Sequence, residues 1–187
     1  MIYNFDLRTV GLVVGIGLVV THLIAIIHAK EVKGWLRTFP RSKMMGMVLL
    51  GIATLWAFWL VATMDLGEFT SYRNFLMILV PAAGFLCLQF VDDFLSVRAF
   101  GLLLLLLAEP LLEVAFLRPE ASRLLLVVLA YGWIITGMFW IGMPYLMRNH
   151  VEWLLKSHGR WMTACLGGVI YGAAVILSAL LFFQQQS

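Results

Sequence analysis

The chain has 187 residues, room for one domain, and 63% of them are hydrophobic against about 45–50% in soluble domains, which excludes an ordinary soluble fold. Its formal net charge of +3 comes without any Arg/Lys cluster interleaved with aromatics, so no nucleic-acid partner is expected. The two cysteines, Cys87 and Cys165, both fall in apolar runs and support neither a disulfide framework nor a zinc site.

Six apolar runs are long enough to cross a hydrocarbon core of about 30 Å. They cover 9–28, 44–64, 75–92, 98–117, 123–146 and 161–183. The expected fold is therefore all-α, a polytopic six-transmembrane-helix bundle in a single domain. The opening MIYNFDLRT carries one acid and one base, and no small-x-small cleavage site follows the first run. That run is expected to be a retained span rather than a signal peptide. Basic residues sort unevenly between the two sides. Lys30, Lys33, Arg37, Arg41, Lys43, Arg98, Arg148, Lys156 and Arg160 lie with the first, third and fifth linkers, and Arg8, Arg73, Arg118 and Arg123 with the termini. By the positive-inside rule both termini lie outside, most simply across a bacterial inner membrane.

In the first span, Gly11 and Gly15 are spaced as GxxxG, and Gly168 and Gly172 repeat the spacing in the last. Such faces let helix backbones approach closely, within the bundle or against another subunit. His22 is the deep histidine of the first span. The linker AKEVKGWLRTFPRSK reads as a short basic loop with Trp35 and Phe39 at headgroup depth, touching anionic lipid. Gln89, Asp92 and Asp93 end the third span, with Arg98 across the turn, and form a polar cluster at the inner face. Paired aspartates there could hold a cation, but an Asp–Arg pair anchoring the turn is the simpler expectation.

The fourth span is the most costly stretch. RAFGLLLLLLAEPLLEVAFL carries Glu109 and Glu113 on one helix face with Pro110 between them. A carboxylate in hydrocarbon costs roughly 2.5–3.5 kcal/mol unless it is protonated, paired or wetted. Glu109 is expected near the midplane as a proton- or cation-binding group, or as polar glue between helices. His22 and Tyr131 are its candidate partners, with Thr136 and Tyr171 extending a relay. The fifth linker, RNHVEWLLKSHGR, reads as a short amphipathic helix on the membrane surface, with Val151, Leu154 and Leu155 on one side and Glu152 and Lys156 on the other.

No nucleophile with an adjacent base, phosphate-cradling glycine loop or metal-ligand spacing occurs, so neither catalytic residues nor a metal are assigned. No cofactor is expected. Haem would need a second histidine at the depth of His22, and only a His28–His150 arrangement at the inner face offers an alternative. The leading expectation is a non-enzymatic integral membrane subunit that packs or scaffolds a larger assembly and contacts lipid or quinone. Its partners would be membrane lipid and other integral subunits or further copies of itself. The alternative is a small proton-coupled carrier or channel with Glu109 as the titrating group.

Overall fold

A computed structural model describes residues 3, 5–91, 94–118 and 120–181. Asp92 and Asp93 of the expected inner-face cluster lie outside the described residues. The described chain is helical throughout, with eight α-helices: α1 (Leu7–Ile27), α2 (Ala29–Thr38), α3 (Lys43–Thr63), α4 (Arg73–Phe90), α5 (Leu95–Ala115), α6 (Leu124–Gly142), α7 (Tyr145–Leu155) and α8 (His158–Leu181). Six of them, α1, α3, α4 with the 3-10 turn before it, α5, α6 and α8, are long and apolar enough to cross a membrane. The two short helices, α2 and α7, pack against each other at one end of the bundle, here called the basic end. The chain enters α1 from the opposite, terminal end.

α5 is the hub. It is the most deeply buried of the six long helices and packs against both α3 and α6, while α1 pairs with α8 and α4 packs mainly on α3. Small residues explain each pairing. A carbon added at Gly101 of α5 would lie 2.8 Å from the Gly137 carbonyl oxygen of α6, and one at Gly137 would lie 2.7 Å from the Gly101 oxygen. The α1–α8 pair is reciprocal in the same way, with 3.0 Å from a Gly15 carbon to the Gly172 oxygen and 2.9 Å in reverse. The GxxxG faces of α1 and α8 are thus spent on each other, within one chain. A carbon added at Gly46 of α3 would lie 2.8 Å from the Ser96 amide nitrogen of α5, and one at Gly84 of α4 would lie 2.6 Å from the Thr54 hydroxyl of α3. Between apolar helices in an apolar solvent there is little hydrophobic drive, so this closeness, and the dispersion contacts it allows, is what holds the pairs.

Several boundaries differ from the sequence-based expectation, each for a local reason. The basic loop after the first span is a ten-residue helix, α2, with Glu31 in its first turn and Arg37 in its last, the arrangement the helix dipole favours. Phe39 is buried in a 3-10 turn (Phe39–Arg41), where its carbonyl accepts a 2.7 Å hydrogen bond from the buried Ser96 hydroxyl of α5. The fifth span ends at Gly142 rather than 146, because Pro144 starts α7 and its ring cannot continue the preceding helix. The fourth helix starts at Leu95, after Phe94 in a left-handed conformation at φ 56°, three residues before the expected start. Ser42 caps α3 by accepting from the Met45 amide at 3.3 Å.

Two arginines at the terminal end close helix C-termini. Arg73 donates to the Ala62 and Met64 carbonyls at 2.9 and 2.8 Å, and Arg123 to the Ala115 carbonyl at 2.9 Å. Their charge is therefore spent on orphan carbonyls at the ends of α3 and α5.

Candidate functional site: the carboxylate cluster of α5

Glu109 and Glu113 stand one turn apart on α5, with Pro110 buried between them. Proline has no N–H, so the Leu106 carbonyl one turn back loses its helical donor. Both acids line an open groove of about 620 Å³ whose other walls are apolar: Leu105, Ala108 and Leu112 of α5, Phe116, and Ile134 of α6.

The segment before α1 folds back into this site. The Tyr3 amide donates to Glu113 Oε2 at 3.2 Å, and its hydroxyl hydrogen-bonds the Glu109 carboxylate. The same hydroxyl accepts a 2.7 Å hydrogen bond from Trp56 Nε1 of α3. The Tyr3 ring is flanked by Phe5 and Trp59, each with its centroid 5.5 Å away. One tyrosine therefore ties the N-terminal segment to α3 and α5 together. Burial raises the Tyr3 phenol above its ordinary value; the Trp56 N–H pulls it down, and the two carboxylates push it up again. The phenol stays a proton donor to Glu109 across physiological pH. Glu109 Oε2 is buried and has no hydrogen-bond partner among the described residues.

With α5 spanning Leu95–Ala115, Glu109 lies about 6 Å from the helix centre toward the terminal end, and Glu113 lies a further turn out.

The other expected partners lie elsewhere. His22 Nδ1 donates to the Leu18 carbonyl at 2.7 Å, which fixes its tautomer, and the ring packs directly on Gly168 of α8. It lines a separate groove of about 200 Å³ with Thr21, Ala25, Trp161 and Cys165. The expected His22–Glu109 pair is not formed. Tyr131 is exposed on α6 and lines neither groove, and the Tyr171 hydroxyl donates to the Leu125 carbonyl at 2.6 Å. Gln89 is exposed at the end of α4, and Arg98 sits half-buried in the first turn of α5 with no partner for its Nε among the described residues. His150 lines an apolar pocket at the basic end in which His28 takes no part. Among the described residues, no three His, Cys, Asp or Glu side chains come together as a metal site.

Tyr3 and Trp56 are the functional-site residues that sequence reasoning missed. An aromatic with a polar tip, in an otherwise ordinary N-terminal segment, was the available signal for Tyr3. Chemically the cluster is a phenol and an indole N–H gathered on two carboxylates. It can hold and exchange a proton or accept a donor from outside. No family model, curated protein or solved structure matches the chain. The fold and site define an all-α protein with six helices able to span a membrane and a carboxylate-bearing groove in one half of its depth.

Proposed function

We propose that the chain is a non-enzymatic integral membrane subunit that packs within a larger assembly of a bacterial inner membrane, with both termini outside. One observation carries this reading: the groove of the carboxylates and the groove of the deep histidine are separate. Glu109 and Glu113 line one and His22 another, with no lining residue in common. The hydroxyls of Thr21, Thr163 and Ser178 within the long helices are spent on carbonyls of their own helices. Polar groups so distributed favour packing over conduction, because a pathway needs them in series. The orientation draws support from the cations of α2 and α7 at the basic end, set against the capping duty of Arg73 and Arg123 at the other. Extraction of the tagged protein in a mild detergent tests the reading. A native mass far above one or a few copies of this chain is expected, and a clean monomer or small homo-oligomer would overturn it.

The unpartnered Glu109 oxygen in an open groove favours a second reading, a proton-coupled carrier with Glu109 titrating. Glu109→Gln separates the two. The amide still accepts from Tyr3 through its oxygen, so a packing subunit keeps its assembly and shows no change in pH-linked flux. A carrier keeps its assembly and loses that flux.

A further inference from the structure

The basic end of the bundle holds a second site, remote from the carboxylates. α2 and α7 lie side by side there and bury Leu36, Met147 and Val151 on a core that includes Phe39 and Val97. Above that core Arg37 of α2, Arg41 of the following turn and Arg148 of α7 line a groove of about 270 Å³. Glu152 is its one acidic wall and sits 3.9 Å from Arg148. Three guanidiniums against one carboxylate leave the groove cationic.

Leu36 and Val151 are shared walls between this groove and an apolar pocket of about 440 Å³. Trp35, Phe39, Phe100, Trp140 and His150 line the pocket, whose size falls in the roughly 300–1,000 Å³ range of small-molecule sites. Its wall is preformed. The Phe39 and Phe100 rings meet edge-on at 5.8 Å, Phe100 stacks on Trp140 at 5.7 Å, and Ser96 pins the Phe39 carbonyl. A cationic groove opening beside an apolar pocket, at the end of helices of membrane-spanning length, has the polarity of an amphiphile. Arginine forks suit phosphate oxygens in particular.

We infer that α2, the Phe39–Arg41 turn and α7 form a binding site for one anionic phospholipid, its phosphate held by Arg37, Arg41 and Arg148 and one acyl chain lodged in the aromatic pocket. The site stands whether the chain is a packing subunit or a carrier, and its test is independent of both. Full-length protein in a neutral detergent is mixed with equal amounts of phosphatidylglycerol and phosphatidylcholine of identical acyl chains, and the retained lipid is read by native mass spectrometry. One phosphatidylglycerol should be retained about thirtyfold over phosphatidylcholine, the effect of two net cations near a headgroup at about 1 kcal/mol each. The exposed triple variant R37Q/R41Q/R148Q should retain the two lipids alike. Glu152→Gln, which removes the one carboxylate of the groove, should raise the phosphatidylglycerol preference. Equal retention by the parent protein, a triple variant that keeps the preference, or an unchanged or lower preference in E152Q would each overturn the inference. Displacement of the lipid by inorganic phosphate at matching concentration would also overturn it, by reducing the site to one for a free anion.

Discussion

Gly137→Ala adds one methyl group at the crossing of α5 and α6, and the structure sets its cost. The new carbon would lie 2.7 Å from the Gly101 carbonyl oxygen, with Leu105 and Leu104 side-chain carbons at 3.3 and 3.4 Å. The obstacle is backbone in the middle of a buried helix, so no rotamer change relieves it. The two helices must part by several tenths of an ångström, and the dispersion contacts along the crossing weaken with them. Overpacking of this kind costs about 1–3 kcal/mol, while alanine returns up to about 1 kcal/mol over glycine in helix propensity. The net expectation is a loss of about 1–2 kcal/mol. Gly132→Ala, on the same helix with nothing within 4 Å of the added carbon, supplies the control, because it keeps the propensity gain and meets no neighbour. Thermal unfolding in a single detergent, read by tryptophan fluorescence, should place G137A below the parent and G132A at or above it. Adding G101A to G137A should cost less than the sum of the two, since the first methyl has already separated the helices. A G137A protein as stable as the parent, or G132A falling equally far, would refute this account of the α5–α6 pair.

Tyr3→Phe should lower stability by about 1–2 kcal/mol, since it strips the Trp56 N–H and the Glu109 carboxylate of one partner each; an unchanged unfolding temperature would show that the N-terminal segment contributes nothing by docking. The Tyr3 phenol binds its proton more tightly when folded than the ordinary value of 10.0 allows. Its contribution is therefore full below about pH 10 and lost as pH rises above that value, a step that a pH series on the parent should show and Y3F should lack. Gly168→Ala should evict the His22 imidazole from its seat on α8 and destabilise the α1–α8 pair, whereas in a His22→Ala background the same methyl should be tolerated. Additive losses in that double-mutant cycle would mean that the ring and the glycine are not in contact.

How much of this was legible depends on the range of the interaction involved. Uninterrupted apolar runs are local, and they pointed to the six long helices directly. Gly11, Gly15, Gly168 and Gly172 announced close approach through their spacing, though not which helix would answer. Gly101 and Gly137 carried no such announcement, because each stands without a second glycine a turn away in its own span. Their meaning exists only across the α5–α6 crossing. α2 was missed because Gly34, Thr38 and Pro40 dilute its pattern, while its stability draws on tertiary contact with α7. The partner of Glu109 lay more than a hundred residues away in a segment with no motif. Intramembrane acids invite pairing with the nearest deep histidine, but His22 spends its N–H one turn back on its own helix. Local satisfaction of that kind removes a candidate partner without leaving a mark in the sequence.

The pairing of α1 with α8 also fixes an order of events during synthesis. α3, α4, α5 and α6 each find a neighbour within a helix or two along the chain, so that part of the bundle can close while translation continues. α1 is made first, yet the glycine face that receives it ends the chain's run of long helices. About 130 residues separate the two helices, on the order of ten seconds of elongation at roughly 5–20 residues per second. Over that interval α1 can already rest on α5 and α6, through Val10 and Val14, but its glycine face has no partner of its own. The carboxylate cluster can thus assemble from Tyr3, Trp56, Glu109 and Glu113 before α8 exists, whereas the glycine crossing that fixes α1 closes only once α8 has been made.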